Sequence, residues 1–458
     1  MSAFSLQEQE RLLGAQLKAE ALDNWRPLNL QYKLDAQSIS GTLRKLYAEF
    51  SIVRKGKHSK RNRRHLKIVI ADVVRSYQED PEQYLAVSLN SNDYKANGRY
   101  NTLRVSYRRL RSTIELLHDA ELIELHTGYF DRSSGKSAWT RVRATPKLIA
   151  MLNPVRRRIP LACSPDHYEP IVLREGKPKD AELRNEARGR LVEYDDTADT
   201  VRMRDVVRNY VSLLHEHHIE NPADERDWED KPLIWRKFCN SSWESGGRFY
   251  GGNWQNCKRD LRPHILIDGE RTIELDYVAL HACLAYARKG IGWWENVSDR
   301  HLIAQDPYGT NWRPLTEKQW RYFYKKALNV ALAATSERSS LQALYNLWRN
   351  DELSGAGRMP LEFKQKGLLG IEMRRYLGEQ GPHVRIVDLF FQGIGLNLQY
   401  WDSQVAEAIF LEFVARGKPV LGIHDSFIVK ESDQELLQEV MSTTYQRVIG
   451  FKPKFTSK

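Results

Sequence analysis

Apolar positions recur along the chain at two periods. LKIVIADVVRSYQ (66–78) carries them at helical spacing, and so does VSYRRLRSTIELLHDA (105–120), where Val105, Leu110, Ile114 and Leu117 fall on one face. LIELHTGYF and WTRVRAT alternate with period two around the turn DRSSGK, which predicts a hairpin. Residues 151–175, punctuated by Pro154, Pro160, Pro165 and Pro170, read as a linker, and VRMRDVVRNYVSLLHEHHI beyond them as a helix. In the C-terminal half two short apolar strands each run into an aspartate. Ile273 and Leu275 lead to Asp276, after which Leu280 and Leu284 open a helical pattern. Val420, Leu421 and Ile423 lead to His424 and Asp425, and Phe427, Ile428 and Val429 lead away, a hairpin with an acid at its tip. LNLQYWDSQVAEAIFLEFVARGKP is predicted as a helix ending at Gly417, just before that hairpin.

Composition narrows the class. At 458 residues, 41% hydrophobic and 28% charged, the chain is neither disordered nor a membrane protein, and it is long enough for several cores. Seventy Lys and Arg against 59 Asp and Glu leave a net charge of +11, which favours a polyanionic partner, nucleic acid first. The four cysteines form no CxxC pair, so a reducing cytoplasm is expected. The helix-like start has no basic and apolar leader, and no membrane partner is expected. Arg54, Lys55, Lys57, Lys60, Arg61, Arg63, Arg64 and Lys67 follow one another without an acid; such a run reads as a solvated linker or as a phosphate-contacting arm. His215, His217 and His218, with no carboxylate evident beside them, read as solvated rather than as metal ligands.

Helix, amphipathic helix, then hairpin over roughly 60–150 resembles a winged helix. That resemblance implies a DNA-binding domain in which Tyr107, Arg108, Arg109 and Arg111 meet the major groove, and Arg132, Lys136 and Arg141 meet phosphates.

Two aspartates delivered from neighbouring strand ends can hold two Mg²⁺ ions roughly 4 Å apart, the arrangement that phosphoryl transfer to a hydroxyl requires. IELDYVALHA resembles motif A, and GIHDSFIV motif C, of the family A DNA polymerases and phage-type single-subunit RNA polymerases. Arg321-Tyr322-Phe323-Tyr324-Lys325 resembles the start of their motif B helix, and GGRFYGGNWQ (246–255) the Gly-Arg-x-Tyr segment of the single-subunit RNA polymerases. The resemblance covers about residues 245–432. It implies an α+β fold, a right-hand polymerase palm with small helical fingers and thumb, preceded by the winged-helix-like domain. The domains would be a helical segment at 1–53, the DNA-binding domain at 54–150, linker and thumb-like helices at 151–245, and palm and fingers at 246–458.

The same resemblance implies site residues. Asp276, Asp425 and Tyr277 would hold two Mg²⁺ ions, with Mn²⁺ as a substitute. Arg321 and Lys325 would grip the triphosphate, with Asn329, His281 and His424 also at the nucleotide. Arg248 and Tyr250 or Trp254 would lie beside the template, and Gln399 or Ser403 would face the minor groove. The partners would be DNA and nucleoside triphosphates, with RNA as an alternative template or product. Two positions depart from the pattern: His281 stands where the DNA polymerases carry Glu, and Ala333 where both groups carry Tyr. Replication or priming for a phage or mobile element is the expected role. The rivals are an element-specific RNA polymerase, a non-catalytic DNA-binding regulator, and a two-metal nuclease that would add Glu274 or Asp388.

Overall fold

The computed structural model describes residues 24–30, 34–50, 57–88, 91–94, 98–130, 137–152, 159, 167–176, 189–226, 228, 231–295, 317–349 and 366–457. The fold is mixed α/β with several sheets. Two compact units divide it, one running to Glu216 with 220–235, the other comprising 217–219 and Arg236 onward.

In the first unit a four-stranded sheet has the order β1 (Trp25–Pro27), β2 (Tyr84–Val87), β6 (Thr140–Ala144), β3 (Ile123–His126). β1 runs parallel to β2, and β6 is antiparallel to both β2 and β3, with Leu85 opposite Val142 and Ile123 opposite Ala144. The hairpin extends through β4 (Tyr129–Phe130) and β5 (Ser137–Ala138). Helices α1 (Ser40–Glu49), α2 (Lys57–Glu79), α3 (Tyr107–Asp119) and α4 (Pro146–Met151) complete the unit's main core. The apolar face expected on α3 is the buried one: Leu110, Ile114 and Leu117 pack with Leu43, Ile70, Val73 and Val142. That core takes in the described part of 24–50, so α1 shares it with α2 and α3.

Three expectations change here. The basic run is helical from Lys57, because His65 and Leu66 anchor its continuation in the core while Arg61 and Arg64 stay in solvent. Arg141 is buried on β6, its guanidinium 5.7 Å over the Trp25 ring, and therefore does not reach outward for phosphate. Arg132 and Lys136 lie outside the described residues. The stretch read as linker ends in a buried strand, β7 (Ile171–Leu173). Beyond it a single long helix, α5 (Ala198–His215), opens on a capping box between Thr197 and Thr200.

The second unit is built on a sheet whose strands run β12 (Leu421–Ile423), β13 (Ser426–Lys430), β11 (Glu270–Tyr277), β10 (Leu266–Ile267), with β14 (Phe455–Ser457) on β11 as well. β8 (Trp235–Phe238) and β9 (Gly246–Tyr250) pair in a separate sheet. Around them stand α6 (Leu280–Ala287), α7 (Glu317–Ala333), α8 (Glu337–Arg349), α9 (Lys366–Leu377), α10 (Gly395–Ala415) and α11 (Gln434–Ile449). α10 packs on β9, α6 and α11, and it is largely buried because Leu398, Val405, Ile409, Phe410 and Phe413 leave it little solvent face. His217 proves to have a carboxylate partner: Asp268, in the β10–β11 turn, lies 2.7 Å from its Nδ1 and accepts the His218 amide and the Lys430 ammonium. No described helix is long and apolar enough to cross a membrane.

Candidate active site

Both aspartates lie at the same end of two adjacent strands of one sheet. β11 and β13 are antiparallel, with Asp276 opposite Ser426, and the Tyr277 amide donates to the Asp425 carbonyl at 3.1 Å. Asp276 also faces Thr456 on β14, so its strand is paired on both sides and has little freedom to move. Asp425 sits at the hairpin tip after His424, whose φ of 57° makes the reversal. Both aspartates are half-buried. Strand alternation puts Glu274 on the Asp276 face, where it accepts the Ser426 hydroxyl at 2.7 Å and lies 3.5 Å from Arg262. Asp388 pairs with Lys289 instead, and among the described residues nothing brings it to the aspartates.

A buried polar layer lies beside this pair. Arg248 on β9 donates through Nε to Asp402 at 2.6 Å, and its Nη2 lies 3.0 Å from His281 Nε2. Arginine can only donate, so His281 accepts at Nε2 and carries its proton on Nδ1. Burial, together with the nearby Arg248, lowers the His281 pKa to about 4, and the charges of Asp425, His424 and Lys325 also act on its ring. Burial likewise lowers His424 to about 4 and, against the pull of Arg248, pushes the Asp402 carboxyl up to about 6. Arg248, His281, Asp402, His424, Asp425 and Lys325 therefore form one electrostatic neighbourhood. Asp402 was not among the residues singled out from the sequence. Its one signal there is a carboxylate on the apolar face of α10, between Leu398 and Val405.

The remaining residues fall in several places. Lys325 is exposed on α7, Lys326 rests 5.3 Å over the Tyr322 ring, and Asn329 is half-buried one turn on. Arg321 lies on the same helix, its side chain outside the described residues. Tyr250 packs edge-on to His424 at 5.4 Å and under the Lys237 ammonium. Trp254 is buried and donates its indole N–H to the Gly422 carbonyl at 3.0 Å, so it braces the hairpin rather than stacking on a base. Ser403 is buried too, its hydroxyl bonded to the Tyr400 carbonyl, and cannot face a minor groove; Gln399 is half-buried one turn earlier. The Tyr277 phenol points away to the Met441 carbonyl at 2.6 Å. In the other unit, Arg108 is exposed, Tyr107 and Arg109 are half-buried, and Arg111 pairs with Glu115.

No protein family model matches the chain, and no curated protein is similar to it. Among solved structures it is similar, at 14% identity, to the POL domain of Pol1 from M. smegmatis in complex with DNA primer-template and dNTP. The match covers 57% of this chain and 50% of that one, with a TM-score of 0.28. The chain thus spans half the length of that structure.

The donor set bears on which ion would fit. Among the described residues no group of three or more His, Cys, Asp or Glu side chains converges to hold a metal alone. Mg²⁺ is ordinarily held by one or two carboxylates plus waters and substrate phosphates, so two adjacent aspartates fit an ion pair that arrives with a triphosphate. With the Tyr277 side chain turned away, only its main chain could join them.

Proposed function

We propose that this chain is a template-directed nucleotidyltransferase, a compact polymerase or primase-polymerase that copies a nucleic-acid template from nucleoside triphosphates. The observation that carries the reading is the Tyr277–Asp425 backbone bond, which makes neighbours of two sequence-distant aspartates at the same end of adjacent strands. Asp276 and Asp425 would hold two Mg²⁺ or Mn²⁺ ions. Such ions would lower the pKa of an attacking 3′-hydroxyl and neutralise charge building on the leaving pyrophosphate.

The chain's own groups have separate tasks. Lys325, exposed and within electrostatic reach of His281, neutralises the triphosphate, with Arg321 four residues earlier on the same helix and Asn329 a turn later. His281 and His424 stay neutral at physiological pH and meet the nucleotide through hydrogen bonds without adding positive charge. Asp402 fixes the Arg248 fork, so Arg248 orients His281 first and offers the template only its outer N–H groups. Tyr250 presents its ring beside the hairpin. Residues 246–458 would supply palm and fingers. The unit with α2, α3 and the β3–β6 hairpin would act as a winged-helix-like DNA-binding domain through Tyr107, Arg108, Arg109 and Arg111.

The test is incubation of the purified chain with Mg²⁺ and a primed or unprimed single-stranded template, with NTPs or dNTPs. Products whose length and sequence follow the template support the reading. Absence of incorporation under every combination, from folded protein, refutes it.

A further inference from the structure

Four guanidiniums gather on one surface of the first unit, with no carboxylate between them among the described residues. Arg61 and Arg64 stand three residues apart on α2, one face of a helix, where like charges repel. Arg104 precedes α3, and Arg109 lies in its first turn. Hydrogen bonds lock the two helices together beneath them. Arg64 Nη2 donates to the Arg104 carbonyl at 2.7 Å, and Arg109 Nη1 lies 3.5 Å from the Ser106 hydroxyl. The Ser106 amide donates to Nε2 of buried His65 at 2.9 Å, so His65 carries its proton on Nδ1, which donates to the Arg61 carbonyl at 2.7 Å. The spacing of the arginines is thus fixed by the fold.

The cluster is electrostatically costly by itself. Partial burial and the charges of Arg61, Arg104 and Arg109 hold Arg64 below its usual pKa. Elsewhere in the same unit arginines are neutralised: Arg143 by Glu124 at 2.9 Å, Arg204 by Asp196 at 2.7 Å, and Arg99 by Glu169 at 3.0 Å. Among the described residues none of Arg61, Arg64, Arg104 or Arg109 forms an ion pair. The first turn of α3 contains no acid and two arginines, the reverse of the charge order a helix start favours. Arg104 adopts φ 50°, a region where a non-glycine residue is strained. Charge of one sign, gathered and left unneutralised at a fixed spacing, fits a partner with a regular array of negative groups.

We infer that Arg61, Arg64, Arg104 and Arg109 form a clamp for the phosphates of a nucleic-acid backbone, which anchors the unit whatever the base sequence. The inference rests on reading this unit as nucleic-acid binding and is independent of the chemistry at Asp276 and Asp425. It takes Arg109 from base reading to backbone contact and leaves base edges to Arg108. Each phosphate neutralised releases counterions from duplex DNA, so each arginine should add about 0.9 to the slope of log K against log salt.

The experiment measures binding of labelled random-sequence duplexes to the full-length protein across a salt series, with no nucleoside triphosphate present. Arg64→Gln should weaken binding by roughly three- to tenfold near 0.1 M salt and flatten the slope by about one contact. Arg104→Gly removes a charge and relieves the strained φ, so it should bind more weakly while melting no lower than the wild type. Arg226→Gln, which removes a surface arginine already paired with Asp224, is the control and should change neither quantity. Unchanged affinity and slope in the Arg64→Gln, Arg104→Gly double variant would overturn the clamp. So would a loss confined to one duplex sequence, or a loss of inorganic phosphate binding with duplex binding intact. Because the assay needs no catalysis, failure of nucleotidyl transfer would leave its result standing.

Discussion

The amide of Tyr277 donates a 3.1 Å hydrogen bond to the carbonyl of Asp425. That bond pins the tip of a hairpin near the C-terminus to a strand that ends far earlier in the chain, and it makes neighbours of Asp276 and Asp425. Ser426, opposite Asp276, turns its hydroxyl to Glu274, so the residue after Asp425 is held from the Asp276 strand as well. Main-chain pairing on both sides thus fixes the backbone from which each carboxylate projects.

Lys325 and Lys326 are adjacent and separable. Lys325 acts on His281, whereas Lys326 is drawn over Tyr322. Lys325→Ala should lower the maximal incorporation rate by roughly 10²-fold or more, the scale of losing one preorganised electrostatic partner. Lys326→Ala should cost far less. Single-turnover kinetics of both variants would check this, and a crippled Lys326→Ala beside a near-normal Lys325→Ala would contradict it.

Gly422 precedes the site by three residues. A Cβ there would come within 2.6 Å of the Phe410 ring, which is itself buried in the core. Gly422→Ala should therefore destabilise the chain by about 1–3 kcal/mol, the range for overpacking a filled core. It should also disturb the Trp254 bond to the Gly422 carbonyl, lowering incorporation more than DNA binding. Thermal melts and incorporation assays on one preparation would show whether the two losses travel together.

What could be read in advance follows the physics of each signal. A strand that ends in an acid before a helix or a turn is a local pattern, so Asp276 and Asp425 stand out in the sequence. The Arg248–Asp402 pair is not local: its members lie 154 residues apart, and an aspartate within a helix ordinarily faces water. Trp254 and Ser403 were each one of two candidates to face nucleic acid, but Trp254 is buried against the hairpin at Gly422 and Ser403 against β8 and β9 at Arg236 and Gly247, and aromatic or hydroxyl character alone does not distinguish those outcomes. Ala333, where the resembled families carry Tyr, has a packing reason. A Cβ on Gly395 would fall 2.9 Å from the Ala333 Cβ, so the start of α10 runs too close to the end of α7 to admit a ring.

Acidification should destabilise the second unit, with a sign that can be worked out group by group. Burial holds His281, His383 and His424 down to about 4. Below the unfolded value near 6.5, the unfolded chain binds protons that these folded histidines refuse, so stability is full above about 6.5 and falls as pH drops toward 4. Asp402 opposes this: pushed up to about 6, it takes up its proton early, and stability returns as pH falls from 6 toward its ordinary range. Three groups outweigh one, so the melting temperature should decline between pH 6.5 and 4.5. His383 is fully buried between Tyr376 and Tyr286 and touches neither aspartate, so His383→Phe should make that decline shallower. An unchanged slope in that variant would show that His383 does not refuse its proton.

On the proposed reading Asp276 and Asp425 together carry nucleotidyl transfer. The most direct measurement compares Asp276→Asn and Asp425→Asn with the wild type, both for Mg²⁺-dependent incorporation on a primed template and for DNA affinity. Removing one carboxylate takes away several kcal/mol of transition-state stabilisation, while ground-state binding rests on distant phosphate contacts. Each variant should lose incorporation by roughly 10³-fold or more and bind DNA within about twofold of the wild type. Wild-type incorporation in either variant would contradict that reading.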